Sequence, residues 1–115
     1  MVLSQFADDY RCVTPESFRA LAEECWDLGI ARLDVRYFVL RDCFDITWSF
    51  WGRADVGSGV SRDLSARLEH HWSRRLPAIL SEPDEEAAVA LALALREELM
   101  LLSELVEDPL TFRDV

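Results

Sequence analysis

The chain has 115 residues, half of them hydrophobic, and it carries 22 acidic against 12 basic residues for a net charge of −10. This length and this apolar content predict one domain with one packed core, and they exclude a disordered or fibrous chain. All 12 basic residues are arginines, which excludes a lysine-dependent phosphate-binding loop, a Schiff base and a lysine general base.

The sequence indicates a protein that stays in the cytoplasm. Its first nine residues already include acidic side chains and lack the basic and long apolar regions of a secretory signal. Cys12, Cys25 and Cys43 are spaced for neither a disulfide framework nor a metal knuckle, so we expect reduced thiols, with Cys25 as a small buried hydrophobe. The most apolar stretch, residues 87–95, is much shorter than the roughly 20 residues of a membrane span. The acidic surplus also disfavours binding to an anionic membrane surface.

The first predicted helix covers residues 15–28. Thr14 is its expected N-cap, and Gly29 is expected to end it as the C′ residue. Hydrophobic residues recur on one face with helical spacing, namely Phe18, Leu21, Ala22, Cys25 and Leu28. This spacing predicts that the face packs against the rest of the domain.

Residues 35–51 are predicted as a second helix, although they also fit a β-hairpin. Asp34 can cap the helix, and Arg41 and Asp45 have the i, i+4 spacing of an ion pair. A hairpin over residues 32–51 would align apolar side chains on one face, and the β-branched and aromatic content supports it. An Arg-Asp turn is unfavourable, however, because neither residue readily adopts a positive φ. The helix is therefore the preferred interpretation.

A glycine-rich loop over residues 53–60 is predicted to precede a third helix that begins at Ser61. Pro77 should bend this helix or end it near Leu76, because proline donates no hydrogen bond and clashes with the carbonyl four residues earlier.

The last helix is predicted to begin after Asp84 as N-cap and to end near Glu107. Four helices with short connections predict an all-α fold, an antiparallel four-helix bundle. The bundle would form a single domain over residues 1–115, with residues 1–12 and 108–115 as flexible ends.

The last helix is apolar on every side between residues 87 and 95. A helix that is apolar all round is expected to be buried all round. It is therefore either the central helix of the bundle or an interface for a second copy or another protein. The candidate partner-binding residues on this helix are Leu93, Arg96, Glu97, Met100, Leu101 and Glu104.

Trp26 is a second candidate binding position. Helical spacing places it beside the apolar face of the first helix, near Glu23 and Asp27. A partly exposed tryptophan between carboxylates indicates a contact for a basic partner, and packing at the edge of the core is the alternative.

The sequence contains no strong catalytic or metal-binding motif. His70 and His71 are adjacent and would point about 100° apart on a helix, and the Glu-x-x-His motif of di-metal bundles is missing. The Gly-Ser-Gly segment at residues 57–59 matches neither a nucleophile elbow nor a dinucleotide fingerprint. A metal site built from Cys25, Cys43, His71 and a glutamate remains an alternative hypothesis. We predict no catalytic residue, no metal and no cofactor.

These observations favour a non-catalytic, acidic helical protein-binding module, such as a small regulator, an inhibitor or an immunity-type protein. Its partner would be a protein that is basic or has an apolar groove, and a homo-oligomer such as a homodimer is a further expectation. Residues 82–115 carry ten acidic residues against two arginines, which disfavours direct nucleic-acid binding. One alternative is that these acids mimic nucleic-acid phosphates and inhibit a nucleic-acid enzyme. A small metal- or cofactor-binding enzyme is the other alternative.

Overall fold

The computed structural model describes residues 15–54 and 58–107, and it describes the side chains of residues 16–49 and 66–104. Within these ranges the chain forms four helices: α1 (Pro15–Arg32), α2 (Val35–Ala54), α3 (Ser58–Ser81) and α4 (Glu85–Glu107). The predicted all-α bundle is confirmed, and the hairpin alternative is wrong.

Local interactions explain why α2 is a helix despite its β-branched and aromatic residues. The Arg36 amide donates a hydrogen bond of 3.0 Å to Asp34 Oδ1, which caps the first turn. Arg41 and Asp45 form the expected i, i+4 ion pair at 3.7 Å. The helical repeat also buries one continuous face, which contains Leu40, Cys43, Phe44 and Thr47. A strand could not bury these four positions together, because its side chains alternate between two faces.

Consecutive helices run antiparallel, and the α1–α2 and α3–α4 connections lie at the same end of the bundle. At that end, the Val35 amide of α2 donates a hydrogen bond of 2.9 Å to Glu85 Oε1 of α4. Further along both helices, Cys43 Sγ lies 3.7 Å from the Ala92 carbonyl oxygen. The helices α2 and α4 therefore run parallel to each other, with α1 packed on α2 and α3 packed on α4.

Three aromatic rings from three helices meet in the core. Phe18 of α1 lies 5.6 Å from Phe44 of α2, and Phe44 stacks on Trp72 of α3 at 4.5 Å between ring centroids. The Trp72 indole N–H donates to the Thr47 hydroxyl, which donates to the Cys43 carbonyl, each at 2.9 Å. This pairing satisfies the polar atoms among the rings. Helix α4 completes the core with Ala88, Ala92, Leu95, Leu99 and Leu102.

The predicted end of α1 at Gly29 is wrong, because the helix continues to Arg32. Gly29 has a packing role instead, since ring atoms of Phe38 lie 2.8–3.0 Å from where a Cβ would stand. The chain leaves α1 at Leu33, which takes the left-handed conformation with φ of 53°. Asp34 then caps α2 directly, so the connection between the two helices is very short.

The predicted glycine-rich loop is shorter than expected. Helix α2 continues past Gly52, and α3 begins at Ser58 instead of Ser61. Residues 55–57 lie outside the described residues, as do the predicted cap Thr14 and both predicted flexible ends.

Pro77 does not end α3, which continues to Ser81, so the predicted end near Leu76 is wrong, while the alternative of a bend stays a prediction. Beyond the proline, Ile79 is fully buried. The buried guanidinium of Arg36 donates hydrogen bonds to the carbonyls of Ile79 and Glu82 at 2.9 and 2.6 Å. These tertiary contacts stabilise the last turn of α3 and offset the hydrogen bond that proline cannot make.

Helix α4 is buried on one face only, so the prediction that it is the central helix of the bundle is wrong, and the interface alternative stays a prediction. It packs on α2 and α3, and its opposite face is exposed. We call this opposite face the α4 outer face; it contains Leu93, Glu97, Met100, Leu101 and Glu104. No helix in the described ranges has the length and hydropathy needed to cross a membrane.

Candidate functional site

The largest group of exposed hydrophobic side chains follows the outer line where α1 packs on α2. Four of the eight large hydrophobic side chains that are exposed among the described residues belong to this group. We call the group the α1–α2 seam; it consists of Trp26, Ile30, Leu33 and Trp48. Three of the other four lie on the α4 outer face, so the seam is the first candidate for a binding surface.

Both tryptophans of the seam are held in place by an arginine from the opposite helix. The Arg41 guanidinium lies 5.0 Å from the Trp26 ring centroid, and the Arg19 guanidinium lies 5.3 Å from that of Trp48. Trp26 also makes an edge-to-face contact with Phe38 at 5.0 Å. Even so, Trp26 is 45% exposed and Trp48 is 40% exposed. The two indoles are therefore oriented before any partner arrives.

A groove of about 340 Å³ lies next to Trp48 between the two helices. Its lining includes Arg19, Ala22, Glu23, Arg41, Asp45 and Trp48. Glu23 and Asp27 are exposed on the α1 side, and Asp42 and Asp45 are exposed on the α2 side. Within the described ranges, no basic side chain forms an ion pair with Glu23 or Asp27. On the α2 side, Asp45 is paired with Arg41 and Asp42 with Arg96 of α4. The seam thus combines an apolar surface with acidic side chains on its α1 edge.

The residues predicted from the sequence lie on two different surfaces. Trp26 and Glu23 belong to the seam and its groove, and the exposed Asp27 lies beside them. The six candidates on α4 lie on or beside the α4 outer face. Arg96, at its edge, is partly buried and forms an ion pair of 3.6 Å with Asp42 of α2. The three hydrophobic residues of this face alternate with Glu97 and Glu104 along the helix.

Sequence reasoning missed most of the seam. Ile30 and Leu33 follow Trp26 with i, i+4 and i+7 spacing, which is the signal that could have found them. The pattern was overlooked because Gly29 was interpreted as the end of the helix. Trp48 is not among the predicted binding residues, and only the packing of α2 on α1 shows that it faces the groove.

A charged cluster connects α3 and α4 on another part of the surface. His71 Nδ1 lies 2.9 Å from Glu98 Oε2, and the Arg75 guanidinium donates to Glu98 Oε1 at 2.7 and 3.2 Å. Burial alone would raise the pKa of Glu98, but the hydrogen bonds and positive charges of Arg75 and His71 lower it below its usual value. Glu98 is therefore held as a carboxylate that connects the two helices.

The hypothetical metal site is not assembled. Cys25 and Cys43 are completely buried among core side chains, and burial raises the pKa of both thiols. A protonated, inaccessible thiol is a poor nucleophile and a poor metal ligand. His71 is instead paired with Glu98. In the described part of the chain, no three His, Cys, Asp or Glu side chains are grouped so that they could hold a metal ion.

Comparison with protein-family models, curated proteins and solved structures finds no match to this chain. Its function is therefore inferred from the geometry and chemistry of the described residues.

Proposed function

We propose that this chain is a non-catalytic protein-binding module and that the α1–α2 seam is its main partner-binding site. The observation that carries the proposal is the row of exposed hydrophobic side chains Trp26, Ile30 and Leu33 on α1, together with the exposed Trp48 beside the groove on α2. A regulator, an inhibitor or an immunity-type protein would each act through such a surface, by occupying a site on another protein.

The chemistry of the seam is typical of binding hot spots. Tryptophan is the residue type most enriched at energetically dominant interface positions. Here Trp26 and Trp48 are oriented by stacked arginines and still expose nearly half of their surface. Covering these two rings and Ile30 would remove a large apolar area from water, while little side-chain entropy would be lost on binding.

The charge of the chain favours a basic partner. The net charge of −10 creates a negative potential that accelerates encounters with cationic proteins. Glu23 and Asp27 on the α1 edge of the seam are exposed, so this attraction also acts at the proposed site.

Affinity capture with matched variants tests the proposal. Ile30 on the seam and Leu101 on the α4 outer face are both 55% exposed, so Ile30→Arg and Leu101→Arg are equivalent in exposure and in chemistry. The tagged chain and both variants would be used to capture proteins from a lysate of the native host, followed by quantitative mass spectrometry. We expect a basic protein that Leu101→Arg retains and that Ile30→Arg loses by about tenfold or more. A partner lost only with Leu101→Arg would place the binding site on α4 and contradict the proposal.

Salt dependence separates this function from mimicry of nucleic acid. A mimic binds through its carboxylates, so its affinity should collapse between low and physiological ionic strength. A partner bound through the seam should lose much less affinity, because apolar contacts dominate its binding. The apolar residues between Glu97 and Glu104 on α4 interrupt any phosphate-like array, which favours the protein-binding interpretation.

A further inference from the structure

We propose that the α4 outer face of one copy of this chain packs on α3 of a second copy, so that the chain associates head to tail. The surface of α3 that takes part is its exposed side, which we call the α3 outer face; it consists of Ala66, Arg67, His70, Ser73, Arg74, Pro77 and Ala78. Neither face belongs to the α1–α2 seam, so this contact and the proposed partner site are separate surfaces.

The charges on the α4 outer face disfavour its contact with a second α4 outer face. Glu97 and Glu104 lie between its hydrophobic side chains, and both are exposed and form no ion pair with the described residues. Arg96, at the edge of the face, is already paired with Asp42 of α2. Two such faces would bring four carboxylates together, and this like-charge repulsion opposes the contact. A surface that covers the α4 outer face is therefore expected to be basic.

The α3 outer face carries the opposite charge. Its charged or ionisable side chains are Arg67, His70 and Arg74, and all three are exposed. Residues 66–78 contain one acidic residue, Glu69, which is partly buried. Arg74 forms no ion pair with the described residues. In a chain with a net charge of −10, a second copy therefore offers a basic surface that matches the α4 outer face.

The charged positions on the two faces have the same spacing. Glu97 and Glu104 are seven residues apart, and so are Arg67 and Arg74. Seven residues are about two helical turns, so the two side chains of each pair lie on one side of their helix, about 10 Å apart. When the two helices lie side by side, both carboxylates can face a guanidinium at the same time.

The shapes of the two faces are complementary as well. The α4 outer face projects three large hydrophobic side chains, and Leu93, Met100 and Leu101 are 41%, 49% and 55% exposed. The uncharged residues of the α3 outer face are small, and a shallow groove of about 620 Å³ runs along this helix. The lining of the groove includes Ala66, Glu69, His70, Ser73 and Arg74. Hydrophobic side chains that pack into this groove would leave water, which stabilises the contact.

Contact between two different faces gives an open assembly. Each copy has one α3 outer face and one α4 outer face, so a pair of copies leaves one of each for further copies. The contact is limited to a few turns of two helices, which is typical of weak association. We therefore expect the mean mass in sedimentation equilibrium to rise between about 10 µM and 1 mM chain. Added salt should lower it, because the ion pairs are exposed to solvent.

Charge reversal tests each face separately. Glu97→Arg places an arginine against the basic face, and Arg74→Glu places a glutamate against the acidic face. We expect each variant to weaken self-association by about tenfold. Asp27→Arg on the α1 edge of the seam is the control, because it changes the net charge from −10 to −8 as Glu97→Arg does. The control should associate at least as strongly as the wild type, since a smaller net charge reduces general repulsion.

A mixture of the two variants tests whether the faces bind each other. Glu97→Arg keeps the native α3 outer face, and Arg74→Glu keeps the native α4 outer face. Contacts between unlike variants join either two native faces or two reversed faces, so opposite charges meet in both cases. We expect an equimolar mixture to associate about as strongly as the wild type, although each variant alone does not. Unchanged circular dichroism and urea midpoints would show that both variants are folded.

Three outcomes would overturn the inference: a wild-type chain that stays monomeric up to about 1 mM, an Arg74→Glu variant that associates like the wild type, or a mixture that does not associate. If Glu97→Arg dissociates while Arg74→Glu does not, two α4 outer faces bind each other and the α3 outer face is not involved. These results are independent of the proposed function, because the seam takes no part in the contact and Ile30→Arg should leave the mass unchanged.

Discussion

At the scale of single residues, Gly29 allows α1 and α2 to pack together. A Cβ at position 29 would lie 2.8–3.0 Å from the Phe38 ring, so any larger residue there requires the ring to move. The same contact places Phe38 against Trp26 and so helps to orient one indole of the seam. Gly29, which the sequence predicts as the end of a helix, therefore instead provides the space in which Phe38 packs beside the candidate site.

We expect Gly29→Ala to lower the free energy of unfolding by up to about 2 kcal/mol, measured by urea denaturation. Alanine gains about 1 kcal/mol in helix propensity, but overpacking against Phe38 costs about 1–3 kcal/mol. Ala31→Gly, at an exposed position of the same helix, is the control and should lose about 1 kcal/mol through propensity alone. Stabilisation of the chain by Gly29→Ala would contradict the packing role of Gly29.

At the scale of helices, Arg36 joins the two connections at one end of the bundle. Its buried guanidinium donates to two carbonyls at the end of α3, and its Nε lies 2.8 Å from Asp34 at the start of α2. The Arg36 side chain thus binds carbonyls at the end of α3 that have no partner within the helix, and it stabilises the N-terminus of α2 through Asp34.

We expect Arg36→Met to lower the free energy of unfolding by about 2–4 kcal/mol, because it removes two charge-assisted hydrogen bonds and leaves the Asp34 carboxylate without its counterion. Arg32→Met removes an exposed arginine that bonds the Tyr37 hydroxyl, and it should cost less than about 1 kcal/mol. Equal losses in both variants would show that Arg36 does not hold the connections together.

The cluster around Glu98 makes the α3–α4 contact depend on pH. Because the pKa of Glu98 is lowered in the folded chain, its contribution to stability is present above the unfolded pKa and is lost as the pH falls through the lower folded pKa. We expect Glu98→Gln to be about 1 kcal/mol less stable than the wild type at neutral pH. The difference in stability between Glu98→Gln and the wild type should shrink in unfolding curves recorded below about pH 4. If the difference stays the same from neutral pH to below about pH 4, the Glu98 carboxylate does not stabilise the α3–α4 contact.

At the scale of the whole molecule, the residues that the structure describes leave two apolar surfaces in contact with solvent. The α1–α2 seam is the proposed partner site, and the α4 outer face carries the prediction of self-association. If α4 joins two copies, Leu101→Arg should convert a dimer into a folded monomer. Sedimentation equilibrium measures this change, and Ile30→Arg is the control that should leave the mass unchanged. The same mass for the wild type and Leu101→Arg would contradict self-association through α4.

The helices could be predicted from the sequence because the signals that specify them, caps and i, i+4 pairs, act over a few residues. The Asp34 and Asp84 caps are confirmed, since the amides of Arg36 and Ala87 donate to their carboxylates. The helical reading of residues 35–51 was correct for the same reason, because capping and i, i+4 pairing act within one helix. The errors at Gly29 and Pro77 arose where a local signal competed with a contact from another helix.

The sequence alone thus determined that the chain is an acidic helical bundle, because helical periodicity and capping depend on neighbours within a few turns. Only the tertiary structure decided which apolar residues remain in contact with water. That outcome depends on which helix covers which face, and packing α1 on α2 exposes Trp48 and Ile30 while packing α4 at one side exposes Leu101. The candidate binding surface is a product of this arrangement, and no stretch of sequence contains it.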